Sequence, residues 1–229
     1  MSHKAPISQK TTAAVQRTIA HYDQKAADFW EGTKDHDVSQ NIDALLRHLV
    51  CDAPGTILDF GCGPGRDLKT LKTLGHSPVG LEGAANFIPM AQAHADCPVW
   101  HQDFVALDLP DNHFDGIFAN AVLFHIPFGE LTRVLKELRK SLKPNGVLFA
   151  SNPHGPNVEN DIPEERYGCY LSWETWQKLM MACGYQYLEH YYRPSGKPRH
   201  EQPWLASVWR KIDIETITGG VTSPTSDVT

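Results

Sequence analysis

Between Thr56 and Ala150, short apolar runs alternate with amphipathic helical patterns, and this alternation constrains the fold of the 229-residue chain more than any other feature. Five runs read as strands: Thr56–Phe60, Pro78–Glu82, Val99–His101, Phe114–Asn120 and Val147–Ala150. Between them lie helical patterns carrying Leu68, Leu71 and Leu74, then Phe87–Ala95, then Leu131, Val134, Leu135, Leu138 and Leu142. The last of these helices is closed by Lys143-Pro144-Asn145-Gly146. Strand, helix and strand at this spacing demand a parallel sheet with helices on both faces. After Ala150 the pattern changes. Ser172 caps a helix with Trp173, Trp176, Met180 and Cys183, ended by Gly184. Tyr185–Tyr192 and Leu205–Arg210 then read as two strands. Their link, Arg193 to Pro203, has no helical pattern, so the pair is antiparallel.

Residues 1–13 are polar and patternless and read as a flexible leader, and residues 14–210 as a single domain. Val15, Ile19, Tyr22, Ala26 and Phe29 recur at helical spacing; Ile42, Leu45, Leu46 and Leu49 mark one face of a second helix, capped by Asp37 or Ser39. These elements, 14–50, are expected to form a lid over the substrate. Residues 211–229 read as a polar tail, in which Ile212-Asp213-Ile214 can add a short edge strand.

Composition excludes several classes. Net charge is −6, so the general basic excess of a nucleic-acid-binding surface is missing. No apolar run reaches the roughly 18 residues of a membrane span, and Met1–Val15 lacks the apolar core of a secretory signal. The five cysteines are scattered without CxxC spacing, which points to reduced thiols and a cytoplasmic location. The twelve histidines show no HExxH, HxH or facial ligand spacing, so no metal site is expected.

The chemistry is carried by Asp59-Phe-Gly61-Cys-Gly63-Pro-Gly65, at a strand-to-helix turn. Missing Cβ atoms let backbone approach a ligand, and the helix start offers free N–H donors. Glu82, at the end of the next strand, can accept both hydroxyls of a ribose. A dinucleotide fingerprint sets its third glycine one turn into the helix. Here the third glycine is Gly65, and Asp67 follows in the first turn, where a pyrophosphate would meet a carboxylate. A phosphate-free ligand with a positive centre fits better, and S-adenosylmethionine is such a ligand, with Asp59 attracting its ammonium group. NAD is the alternative nucleotide, and a glycine turn without a ligand is the structural one. Asp103 can accept from an adenine amino group with Phe104 on the ring, or cap a helix. Asn120 and His125 follow the fourth strand at the carboxyl edge of the sheet, where open α/β folds place ligands; His125 can equally be a polar core residue.

DFGCGPGRD, VGLEG, HQDF and FDGIFANAVLFH resemble the motifs of class I S-adenosylmethionine-dependent methyltransferases. Within that class the chain more closely resembles the methyltransferase of ovothiol biosynthesis. The stretches that carry this likeness are Asp28–Ile42, Ile57–Lys69, Gly116–Pro127, Leu148–Asn157 and His190–Arg210, and it spans about residues 21–210. Glu82 and His154 stand where that family more often has Asp and Arg.

The resemblance implies a Rossmann-like α/β fold: a seven-stranded, mostly parallel sheet with a C-terminal antiparallel strand. It implies N-methylation of 5-thiohistidine (4-mercaptohistidine) on the ring nitrogen nearer the side chain, giving ovothiol A, with S-adenosylmethionine as cofactor. Cofactor contacts are expected from Asp59, Gly61, Gly63, Gly65, Glu82, Gly83, Asp103, Phe104 and Asn120, with Tyr22, Phe29 and Trp30 either facing the sulfonium or packing the helices. A thiolate is usually the better nucleophile, so donors must hold the sulfur away; Asn120, His125, His36 and Asn152 are the candidates. Asp37 is the candidate acceptor that fixes the ring tautomer, unless it serves as a helix cap. Arg166 or Arg193, with Tyr167 or Tyr192, can hold the substrate carboxylate, and His154 can alter substrate contacts. The iron-dependent step that introduces sulfur is expected in a separate protein, because no HxxxHxE motif occurs. Methylation of another N-heterocycle and NAD-dependent oxidation are the rival activities.

Overall fold

The computed structural model describes residues 7–51, 54–162 and 165–212. Its centre is a seven-stranded sheet in the order β3-β2-β1-β4-β5-β9-β8. The strands are β1 (Thr56–Phe60), β2 (Ser77–Glu82), β3 (Val99–His101), β4 (Phe114–Asn120), β5 (Leu142–Pro153), β8 (Tyr185–Arg193) and β9 (Trp204–Lys211). The first five are parallel, and β9 runs antiparallel to both β5 and β8. The chain leaves β1 towards β2 on one side and returns to β4 on the other. This reversal opens a crevice at the carboxyl ends of β1 and β4. The architecture is the Rossmann-like α/β fold that the resemblance implies, a seven-stranded, mostly parallel sheet with one antiparallel strand near the C-terminus.

The helices form for the reasons the pattern gives. In α6 (Phe128–Ser141) Leu131, Val134, Leu135 and Leu138 are all buried on the sheet, while Arg133 pairs with Glu130 and Glu137 on the outer face. In α7 (Trp173–Ala182) the Ser172 hydroxyl accepts from the Thr175 N–H. On the other face α3 (Ser39–Leu46) lays Ile42 and Leu45 against Ile57, Phe118 and Phe149. The helices α4 (Arg66–Thr73) and α5 (Phe87–Ala95) follow β1 and β2. The five cysteines are free thiols, four of them buried. No helix among the described residues is long and apolar enough to cross a membrane.

Five details differ from the sequence reading. The first helix, α1 (Gln9–Gln24), begins inside the expected leader, because Ser8 accepts from the Thr11 N–H and starts it early. After Lys25 the chain continues as α2 (Ala26–Thr33), so the first helical pattern is two helices. The turn expected at Lys143–Gly146 lies inside β5: the chain passes from helix to extended backbone at Leu142, then bulges where the pairing with β4 jumps, with Asn145 at a φ of 62°. A two-stranded ribbon, β6 (Val158–Asn160) and β7 (Gly168–Tyr170), has no apolar run to announce it. Lys211, assigned to the tail, instead ends β9; its buried ammonium donates to the Leu142 carbonyl and to Asn112. Residues 1–6 of the leader and 213–229 of the tail, including Asp213 and Ile214, lie outside the described residues.

Ser207, fully buried in β9, accepts from the indole N–H of Trp176 and of Trp209, each at 2.9 Å. Ser207→Ala strands both donors, and urea unfolding should show a loss of about 2–5 kcal/mol.

Candidate active site

A cavity of about 840 Å³ opens over the carboxyl ends of β1 and β4. Its floor is the turn after β1. Gly61 and Gly65 have φ of 76° and 91°, and each is also sterically required: a Cβ would lie 2.4 Å from Val122 Cγ2 or 2.8 Å from the Ala91 backbone. Gly63 differs. A Cβ there would meet only the Phe29 ring, at 3.7 Å, so its face is open to a ligand.

Glu82 fixes this floor. Its carboxylate accepts from the N–H groups of Gly63 (2.9 Å), Gly83 (2.8 Å) and Ala84 (2.9 Å). Burial raises its pKa and these bonds oppose the shift. Asp59 is buried behind the turn, and one carboxylate oxygen has no hydrogen-bond partner. Burial, then the charge of Asp67, raises its pKa well above the carboxylate range, against a smaller opposing pull from Arg66. Asp67 itself lies in the first turn of α4, held by a two-pronged bond from Arg66 at 2.7 and 2.9 Å. Three carboxylates therefore stand under one ligand position with Arg66 as their cation.

The upper wall is aromatic and comes from the N-terminal helices. Tyr22, Phe29 and Phe87 pack mutually, with centroids 5.3–6.1 Å apart. Trp30 lines the same wall, edge-on to His94. Arg66 also donates to the Thr33 carbonyl at 2.8 Å, tying α2 to α4. Asp103 and Phe104 line the far side; Asp103 accepts from the Val105 N–H and caps a turn rather than a helix.

At the other end stand Asn120 and His125, with Asn41 of α3. The Asn41 amide donates to Asn120 Oδ1 at 2.9 Å, and Asn120 donates to Asp67 at 3.4 Å. His125 is buried, with Nε2 2.8 Å from the Tyr22 hydroxyl and Nδ1 2.7 Å from the Tyr167 carbonyl. Burial lowers its pKa to about 4. Both ring nitrogens are occupied, so the expected role of His125 as a donor to substrate sulfur does not hold.

Of the other expected residues, His36, Asp37, Arg166 and Arg193 line the cavity. Asp37 is exposed, and its Oδ1 accepts from the Ser39 N–H at 2.9 Å. That bond depresses its pKa and is the helix-capping role. Arg193 donates to the Asp37 carbonyl at 3.0 Å. Four residues are not placed on the cavity. The Tyr167 ring turns away, its hydroxyl bonded to Glu159 and accepting from the Phe128 N–H. Tyr192 lies under the Arg199 guanidinium and beside His154, outside the cavity. Asn152 faces a separate small pocket under Trp176. Sequence reasoning missed Asn41, Phe87, Phe124 and Trp204, which also line the cavity. Asn41, next to buried Ile42, was the one visible signal: a polar residue at the edge of an apolar helix face. Among the described residues no group of three or more His, Cys, Asp or Glu is placed to hold a metal ion.

Residues 58–150 match the methyltransferase domain family. The chain is 32% identical over 111 residues to a trans-aconitate 2-methyltransferase of Azoarcus sp. (strain BH72), covering 48% of this chain and 43% of that protein. It is 31% identical over 121 residues to a ubiquinone biosynthesis O-methyltransferase of Azorhizobium caulinodans, covering 48% of this chain and 47% of that one. Over residues 58–150 the chain is similar to methyltransferase domains. The chain spans less than half the length of these two relatives. In fold it is similar to the Burkholderia thailandensis 1,6-didemethyltoxoflavin-N1-methyltransferase, solved with 1,6-didemethyltoxoflavin and S-adenosylhomocysteine: TM-score 0.73, 21% identity, 92% and 93% of the two chains covered.

The residues of this cavity fit S-adenosylmethionine. The open face of Gly63 admits a ligand, and the unpartnered Asp59 oxygen stands in an acidic floor suited to a cation. A diphosphate would instead meet Asp67. A raised carboxyl pKa costs stability once the group ionises. That cost sets in above about pH 4, where the unfolded chain ionises first, and grows up to the folded value. At neutral pH, Asp59→Asn should therefore raise the melting temperature of the ligand-free protein, while calorimetry shows S-adenosylmethionine binding weakened by about tenfold or more.

Proposed function

We propose that this chain transfers a methyl group from S-adenosylmethionine to a ring nitrogen of a small N-heterocycle, and that the heterocycle is 5-thiohistidine. The observation that carries this reading is the origin of the cavity wall. Outside the glycine turn, much of the lining comes from the stretches that resemble the ovothiol methyltransferases. Phe29, Trp30, His36, Asp37 and Asn41 come from Asp28–Ile42; Asn120, Phe124 and His125 from Gly116–Pro127; Arg193 and Trp204 from His190–Arg210. These stretches are far apart in sequence, and all three contribute to the lining of the one cavity. The 1,6-didemethyltoxoflavin-N1-methyltransferase of similar fold acts, by its name, on a nitrogen, which supports a nitrogen acceptor.

When bound, S-adenosylmethionine supplies an electrophilic methyl group on a cationic sulfur, whose departing thioether needs no acid. The chain's task is to orient and to exclude water, which can contribute about 7 kcal/mol or more of the barrier. Glu82 and the Gly63 face hold the donor end. The faces of Tyr22, Phe29 and Trp30 favour a cation at roughly 0.5–2 kcal/mol each. Arg193 and Arg166 offer cations for a substrate carboxylate, and Asn120 keeps one amide N–H beyond its bond to Asp67, available to hold a thiolate away. Helices α1 to α3 act as the lid. The sulfur-introducing, iron-dependent step belongs to a separate protein in the cytoplasm that hands on its product.

Incubation with S-adenosylmethionine and 5-thiohistidine, read by product mass and fragmentation, should give one ring N-methyl group and faster turnover than histidine. An S-methyl product or equal histidine turnover contradicts the substrate assignment. Turnover only of other N-heterocycles keeps the methyl-transfer reading and moves the substrate.

A further inference from the structure

The hydrogen bonds around Tyr22 leave its proton no choice. The Tyr167 carbonyl can only accept, so His125 Nδ1 carries the hydrogen of the 2.7 Å bond. Buried beside Arg166 and His21, the imidazole stays neutral, and its Nε2 is a bare acceptor. The Tyr22 hydroxyl at 2.8 Å must then donate to Nε2. Arg166 has only donors, so its Nη1, 2.8 Å from the same hydroxyl, donates into Tyr22 Oη. The oxygen has spent its proton and one lone pair. It keeps a second lone pair and no hydrogen. Tyr22, His125 and Arg166 all line the cavity.

We propose that Tyr22 is the specificity-determining acceptor of the cavity, and that His125 and Arg166 are positioning residues that deny it a donor role, so the methyl acceptor must present an N–H there. This deepens the N-heterocycle reading and rests on it. An imidazole has one bare nitrogen and one N–H. Holding the N–H on Tyr22 leaves the other nitrogen bare, with its lone pair free to form the new bond to carbon. The tautomer is thereby fixed from the aromatic wall and not by Asp37, which is committed to its helix. A ring that offers oxygen or sulfur in place of that N–H would face a lone pair with a lone pair.

The test uses the whole chain saturated with S-adenosylhomocysteine, at about pH 8 where free imidazole is neutral. The probes are imidazole and thiazole, which replaces the N–H by sulfur and keeps the bare nitrogen. Imidazole should bind about tenfold more tightly than thiazole and shift the Tyr22 ring resonances. In Tyr22→Phe, which keeps the ring and removes only the oxygen, the preference should vanish. In His125→Gln, whose amide can turn, the preference should narrow. Equal binding of both probes by the parent protein, no imidazole shift at Tyr22, or a preference that survives Tyr22→Phe overturns the proposal. So does a ¹⁵N spectrum placing the His125 proton on Nε2. Failure of 5-thiohistidine turnover with the probe preference intact strikes the substrate assignment alone.

Discussion

Glu82 accepts three backbone hydrogen bonds from two different turns, and the geometry of the site follows from that one carboxylate. The turn after β1 and the turn after β2 would otherwise be independent loops at the edge of the sheet. Glu82 binds Gly63 in one and Gly83 and Ala84 in the other, so the open face of Gly63 is held in place. With Asp59 behind it and Asp67 beside it, the charge gathered there faces the cation of Arg66, which is already committed to Asp67 and to the Thr33 carbonyl. An arrangement with a buried, partnerless carboxylate oxygen is unfavourable by itself, and a cationic ligand relieves it.

The same few bonds couple helices α1 to α3 to the floor. Arg66 reaches from α4 to the end of α2, and Asn41 reaches from α3 to Asn120 at the end of β4. Tyr191 of β8 in turn donates to Asn41 Oδ1 at 3.0 Å, fixing which way that amide faces. On the opposite wall α1 is held by Arg17 on Asp161 and by Thr18 accepting from the Tyr167 N–H. Helices that sequence alone can only place near the domain are thus anchored over the crevice at both ends, and they bring the aromatic wall with them.

How much of this is legible in the sequence depends on how local each signal is. The parallel strands and the antiparallel pair at the end follow from periodicity and connection length, which act within tens of residues. The glycine turn is equally local, and Glu82 lies one strand away from it. The acceptor end is not local. Tyr167 and Tyr192 look like partners for Arg166 and Arg193 by adjacency alone, yet strand alternation and ring packing turn both tyrosines from the cavity. His125 reads as a polar group at a strand end, but its role depends on a tyrosine 103 residues earlier and a carbonyl 42 residues later. In sequence Asp37 reads equally as cap or acceptor, and the Ser39 N–H decides for the cap. The ribbon of β6 and β7 has no period to read, because exposure does not alternate along either strand: Val158 and Glu159 are both exposed, and Gly168 and Cys169 are both buried.

The central claim is that the acidic floor under the glycine turn takes a cationic methyl donor. A positive ligand lowers the raised pKa of the buried carboxyl beneath it, so binding must release protons, and affinity must rise with pH through that window. Calorimetric titration over a series of pH values above about 4, each in two buffers of different ionisation heat, reads this directly. The account predicts binding of S-adenosylmethionine with net proton release and no heat with NAD. Binding of NAD, with no heat from S-adenosylmethionine, would contradict it.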